Sequence, residues 1–178
     1  MVPAVYIFGD STADAGNNNH LNSFAKADQW PYGIDFNNVT GRFSNGKTGV
    51  DFIAQYLGLP LAPPYLNLSD SQRARITTGI NYASGACGIL ESTRAGDCLS
   101  LSKQVKYFSS TARKDLVKAL KSRNKVMKHL RKSIFLFSIG YNEYIAQVRG
   151  QETKNLTPPQ LADTLINHMI KHIKISFL

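Results

Sequence analysis

The chain has 178 residues, of which 43% are hydrophobic and 19% charged. That is enough for one domain with a core of its own, and too apolar for a disordered polypeptide. No run of roughly 18 apolar residues occurs, which excludes a membrane-spanning helix, while the formal charge of +9 raises the question of an anionic partner.

The chain opens directly on strand-like sequence, with no basic leader segment, so no signal peptide is expected within it. A first strand is predicted over Val2 to Phe8. It runs into Gly9-Asp10-Ser11-Thr12-Ala13-Asp14-Ala15-Gly16-Asn17-Asn18-Asn19. A strand that ends at Gly-Asp-Ser and turns sharply leaves Ser11 at a sheet tip with its hydroxyl free. A long Asn-, Asp- and Gly-rich loop follows, through Gly41-Arg42-Phe43-Ser44-Asn45-Gly46.

Thr48 to Leu57 reads as a helix, with Val50, Ile53, Ala54 and Leu57 on one face and Gly58 where a C-terminal cap belongs. Leu59 to Pro64 is a proline-rich connection. A second strand is predicted over Ile80 to Ala83, ending in the tight turn Ser84-Gly85-Ala86-Cys87-Gly88. Leu101 to Leu130 is helical, as two helices broken near Ser109-Ser110, with Leu116, Leu120, Met127 and Leu130 as an apolar stripe and Met127 as core filler. About half of all Lys and Arg residues lie between Lys103 and Lys132, few aromatics interleave them, and no nucleic-acid-binding module is visible. The basic stretch is therefore read as a solvated helix face, with no nucleic-acid partner.

Ser133 to Ile139 is the clearest strand. It is apolar at consecutive positions, the pattern of a strand covered on both faces. It ends in Gly140-Tyr141-Asn142-Glu143. Thr157-Pro158-Pro159 opens a last helix whose buried face is predicted as Leu161, Leu165, Ile166, Met169, Ile170 and Ile173. Strands alternating with helices imply one α/β domain over residues 1–178 with a parallel sheet. In such sheets, sites gather at the carboxyl ends of the strands, here Ser11, Gly85 and Asn142. The three suit acyl transfer. Ser11 is a nucleophile, while the Ser11 N–H, the Gly85 N–H and the Asn142 amide are neutral donors for an oxyanion.

These blocks resemble the plant-type branch of the GDSL, or SGNH, family of serine esterases and lipases. Phe8-Gly9-Asp10-Ser11 with Asp14, Gly16 and the Asn17-Asn18-Asn19 run is similar to the family's first block. Asn81-Tyr82-Ala83-Ser84-Gly85 is similar to the second, Ile139-Gly140-Tyr141-Asn142 to the third, and Gly41 to Lys47 to a further plant-branch motif. The resemblance covers nearly the whole chain but only about the first half of the family's domain. It implies a three-layer, flavodoxin-like parallel sheet with helices on both faces, lacking the C-terminal strands. It also implies catalytic roles for Ser11, Gly85 and Asn142, ester hydrolysis in lipid metabolism, no cofactor and an extracellular location. The substrates it implies are acyl esters of lipids, small alcohols or cell-wall sugars.

Two departures stand out. Glu143 occupies a position where the family usually has Asp, and the family's Asp-x-x-His does not occur in this sequence. His20, His129, His168 and His172 are the only histidines, and none lies at a strand end. His168 and His172, four apart on a helix, lack the acidic partner of a zinc motif and are read as a solvated face, so no metal site is assigned. Little esterase activity is therefore expected of this chain. The alternatives are a non-catalytic acyl- or glycan-binding relative and an unstable truncated product. In the implied strand order, Ile134 to Ile139 would form an uncovered apolar edge.

Cys87 and Cys98, eleven residues apart, would close a small loop in a secreted protein and stand as two thiols in a cytosolic one. Sequons at Asn38, Asn67 and Asn155 favour the secreted reading and a Cys87–Cys98 bridge. Gly41 to Thr48 matches a P-loop by letters, but no core strand precedes it, and no Gly-x-Gly-x-x-Gly follows the first strand. Neither nucleotide reading is retained.

Overall fold

A computed structural model describes residues 1–94, 96–150 and 156–177. Strand β1 (Val5–Gly9) pairs in parallel with β2 (Ile134–Ser138), Val5 beside Ile134 and Gly9 beside Ser138. Residues 78–84 run along the other edge of β1. Val5 and Ile7 donate to the carbonyls of Thr78 and Ile80, and Tyr82 and Ser84 donate back to those of Ile7 and Gly9. This is a parallel partner, but the expected strand over Ile80–Ala83 reduces to a bridge of Ile7 with Asn81. Asn81 also pairs on its far side, its N–H donating to the Pro63 carbonyl and its C=O accepting the Tyr65 N–H in a second parallel bridge with Pro64, while its Oδ1 accepts the Ala83 N–H.

Period two sorts the side chains of β1 into two faces. Tyr6 and Phe8 enter a core with Tyr82, Leu101, Phe108 and Leu116, against which Phe135 and Phe137 of β2 pack. Val5 and Ile7 enter a smaller one with Val50, Ala54 and Ala83. The larger core is aromatic, with the Phe8 ring stacked at 4.7 Å on Phe137 and 5.2 Å on Tyr82. Each such ring contributes about 1.5–3 kcal/mol by leaving water.

Helix α1 (Gly49–Tyr56) covers the second face. Thr48 and Asp51 form a reciprocal capping box at its start. Val50 and Ala54 are buried as expected, but Ile53 is exposed, and Asp51 turns inward to meet Arg42. A short helix α2 (Asp70–Arg73) precedes the disulfide-bearing loop. The first face is covered by α3 (Leu101–Ser110), a π turn (Thr111–Asp115), α4 (Leu116–Leu120), α5 (Arg123–Leu130) and α7 (Pro158–Phe177), while α6 (Tyr141–Val148) follows β2.

The helical run does not break at Ser109-Ser110. It passes into the π turn, which Thr111 anchors by accepting the Tyr82 hydroxyl at 2.9 Å. The break falls at Lys121, in the left-handed region at φ 60°, followed by extended Ser122. The turn between α4 and α5 places Val126 in the core and leaves Met127 52% exposed, so Met127 is not core filler. On α7, Leu161 and Leu165 are buried while Ile166 and Ile170 face outward. Strand β1 is fully buried, but every residue of β2 is only half-buried, because no strand lies on its outer edge among the described residues. Among the described residues, no helix is long and apolar enough to cross a membrane. The Asn155 sequon lies outside the described residues.

Candidate active site

Three loop tips meet at the carboxyl end of the sheet, and side-chain hydrogen bonds hold them there. From the first tip, Thr12 Oγ1 lies 2.8 Å from Ser138 Oγ at the end of β2, and the Asp10 N–H donates to the Ser138 carbonyl at 3.0 Å. Asp10 Oδ1 accepts the N–H and hydroxyl of Thr12, which tightens the turn around Ser11. Ser11 is half-exposed, and its hydroxyl has no hydrogen-bond partner among the described residues.

Asp14 ties the first tip to the second. Its Oδ1 accepts the N–H groups of Gly16 and Asn17, and its Oδ2 accepts those of Asn18 and Gly85, the last at 3.0 Å. Burial raises its pKa to about 6, although these N–H groups pull the other way. Burial likewise raises Asp10, against the hydrogen bonds from Thr12.

The asparagine run completes the tie. Asn17 Nδ2 donates to the carbonyls of Asn81 and Ala83, and its Oδ1 accepts the Leu66 N–H. Asn18 Nδ2 donates to the carbonyls of Ala25 and Gly85, and its Oδ1 accepts the Ser84 hydroxyl. Both side chains are buried, so both amides act as cross-links rather than as substrate contacts.

Gly85 is buried in this junction, and a Cβ there would stand 2.6 Å from the Phe43 ring. That contact joins the Gly41–Lys47 motif to the second block. The Gly85 N–H, expected to face an oxyanion, points instead at Asp14 Oδ2. The next residue, Ala86, sits in the left-handed region at φ 67°, and its N–H donates to no described residue.

The third tip begins at Gly140, φ 118°, the N-cap of α6. Asn142 is half-buried and donates Nδ2 to the Cys87 carbonyl at 2.7 Å, leaving its other amide hydrogen without a partner among the described residues. The adjacent Glu143 is buried. Its Oε1 accepts the Leu90 N–H and the Thr93 hydroxyl, and its Oε2 has no partner among the described residues. The longer side chain of Glu at this position reaches the 88–93 loop, and only a glycine at position 88 leaves room for it. Cys87 and Cys98 are joined as a disulfide that closes the same loop.

Among the described residues, no histidine bonds to Ser11. His129 lies 3.3 Å from the Tyr6 hydroxyl, and His172 feels the charge of Glu91. His20 is exposed at the end of a 3-10 turn. Among the described residues, no group of His, Cys, Asp and Glu is disposed to hold a metal ion. An apolar trough of about 500 Å³ is lined by Ile89, Gly140, Tyr141, Tyr144, Ile166 and Met169.

Sequence reasoning found the three tips but missed what joins them. The Asp14–Gly85 bond spans 71 residues, so no local pattern signals it.

A profile of the GDSL-like Lipase/Acylhydrolase family matches residues 5–176. The chain is 46% identical to GDSL esterase/lipase At2g04020 of Arabidopsis thaliana, over 97% of this chain and 53% of that protein. It is 42% identical to GDSL esterase/lipase At5g08460 of the same plant, over 97% of this chain and 46% of the relative. It is 46% identical to GDSL esterase/lipase 7, also of Arabidopsis thaliana, over 82% and 40%. The chain thus spans about half the length of the curated relatives it matches. No solved structure gives a match. With its serine, glycine and asparagine blocks drawn together at one end of a parallel sheet, the chain belongs to the GDSL-like lipase/acylhydrolase family.

Proposed function

We propose that the site hydrolyses acyl esters, with Ser11 as nucleophile. The Ser11 oxygen attacks the carbonyl carbon and its proton passes to a base. The ester C–O bond breaks, the alcohol leaves protonated, and water then hydrolyses the acyl-serine. The negative oxygen of the intermediate is met by the Ser11 N–H, by Asn142 Nδ2 and by the Gly85–Ala86 turn. While Asp14 holds the Gly85 N–H, that turn offers the Ala86 N–H in its place.

The observation that carries this reading is the joint anchoring of the three tips: Thr12 to Ser138, Gly85 to Asp14, Asn142 to Cys87. The Ser11 hydroxyl is left without a hydrogen-bond partner among the described residues. The apolar trough lined by Gly140, Tyr141 and Tyr144 supports an acyl chain as the part of the substrate that is bound. The Cys87–Cys98 bridge and the exposed sequons at Asn38 and Asn67 support a secreted glycoprotein.

A second reading, an acyl- or glycan-binding protein without turnover, is favoured by the absence of a histidine bonded to Ser11 among the described residues. Chemical rescue separates the two. The 178-residue chain is incubated with p-nitrophenyl acyl esters, with and without imidazole as a diffusible base. The hydrolase reading expects imidazole-dependent release of p-nitrophenol above that of imidazole alone, lost in Ser11→Ala. Rescue that survives in Ser11→Ala, or no rescue at any chain length, removes Ser11 as nucleophile. Turnover without imidazole that vanishes in Ser11→Ala keeps the nucleophile and overturns the expected inactivity.

A further inference from the structure

The charge of the molecule is concentrated on one short stretch. Residues 113–132 carry nine Lys and Arg residues and a single acid, Asp115. Elsewhere, basic and acidic residues nearly balance. All nine cationic side chains are exposed, from Arg113 and Lys114 through Lys118, Lys121 and Arg123 to Lys132. None of the nine makes an ion pair among the described residues. Asp115 does not neutralise them, since it is buried and its Oδ2 lies 3.6 Å from Arg73 Nε.

An ordinary solvated surface mixes both signs. This one does not, and it is not purely polar. Between α4 and α5 runs a groove of about 530 Å³ lined by Val117, Val126, Met127 and Leu130, with Arg113 and Arg123 in the same lining. Met127, the most exposed apolar group of this face, lies among those cations. The stretch contains no Phe, Tyr or Trp on which bases could stack.

We infer that the α4–α5 face docks on an anionic phospholipid surface, its lysines and arginines among the headgroups and Met127 at the acyl boundary. Charge complementarity selects the surface. The apolar groove favours a bilayer over a nucleic acid, which offers phosphates but no hydrocarbon. The inference stands apart from the ester chemistry, because the face lies away from the carboxyl end of the sheet. Residue 130 ends α5 just before β2 begins at Ile134, at the amino end of the strand.

The test is co-sedimentation of the full chain with vesicles of phosphatidylcholine alone, or with roughly one-third phosphatidylglycerol. Binding is expected only with phosphatidylglycerol, and is expected to fall more than about tenfold at high salt. The triple variant Arg123→Glu, Lys125→Glu, Lys128→Glu should lose more than about tenfold in partitioning. Met127→Asp, at an exposed position, should lower it severalfold with no change in net fold by circular dichroism. Lys47→Glu, on another face, should leave it unchanged. Equal binding to neutral vesicles, no binding to anionic ones, or indifference to the triple variant would overturn the proposal. So would duplex DNA binding as tightly as the anionic vesicles together with indifference to Met127→Asp, which would mark a plain polyanion surface.

Discussion

The carboxylate of Asp14 accepts the backbone N–H of Gly85 at 3.0 Å, and so locks the serine loop to the turn of the second block. Burial lifts its pKa to about 6 in the folded chain, against an ordinary value of 3.8. The sign follows from linkage: a raised folded pKa adds stability that is complete below the unfolded pKa and lost as pH rises through the folded one. Asp14 should therefore make the protein progressively less stable between about pH 4 and pH 6. Asp14→Asn should be less stable at every pH, since one of its two terminal atoms can no longer accept, but should lack that loss. Urea midpoints across the range check it. A parallel fall in both proteins would show that Asp14 does not titrate there.

Asn142 offers the other side-chain contact at the site. If its amide meets the oxyanion, Asn142→Ala should lower imidazole-rescued turnover by about 10²–10³-fold, with little change in the concentration for half-saturation. Its bond to the Cys87 carbonyl makes a structural contribution too. Thermal melting of the variant separates the two, because a loss of the anchor alone should cost about 1 kcal/mol of stability. An unchanged rate would remove Asn142 from the chemistry.

Arg42 grips Asp51 with two bonds, Nε to Oδ2 at 2.7 Å and Nη2 to Oδ1 at 3.0 Å, both buried. Burial alone would raise Asp51, but the Arg42 bonds and the Thr48 N–H outweigh it and hold its pKa below the usual carboxylate range. The stability it adds is present above the unfolded pKa and is lost as pH falls through the lowered folded value. Removing one partner leaves a charge buried and unpaired, so Arg42→Leu should destabilise the fold by about 3–5 kcal/mol. Asp51→Asn should cost a similar amount, and should also flatten the acid limb of the stability profile. Denaturant titrations of the two variants at neutral and acid pH test both statements.

The Cys87–Cys98 bridge closes a loop whose ends are eleven residues apart. Opening it should cost about 2–4 kcal/mol. The effect should be local first, because Asn142 and Glu143 lean on the backbone of residues 87–93. Mass analysis with and without reductant establishes the bond. Hydrogen exchange at Leu90 and Thr93 after reduction should rise before global unfolding, and uniform exchange would contradict this order.

Much of this architecture was legible in the chain. The run Ile134 to Ile139 reads as a strand because six apolar or small residues in succession suit no amphipathic helix. Ser11, Gly85 and Asn142 stand out because each ends such a segment. What stayed hidden depends on contacts far apart in sequence. The π turn at Thr111–Asp115 is held by Tyr82, 29 residues earlier, and by Arg73. Met127 fits an apolar stripe on paper, but the left-handed turn at Lys121 rotates α5 so that Val126 takes the inward place. Ile80–Ala83 has strand-like residues, yet only Asn81 pairs as a bridge, with Ile7 on one side and Pro64, seventeen residues earlier, on the other.

The buried Asn17 places its NH2 against two carbonyl oxygens, those of Asn81 and Ala83. Deamidation on storage would replace that donor with a carboxylate oxygen and set like partial charges face to face. A single hydrolysed amide, one mass unit heavier and one negative charge richer, would thus part the serine loop from the segment beside it and age the molecule from within.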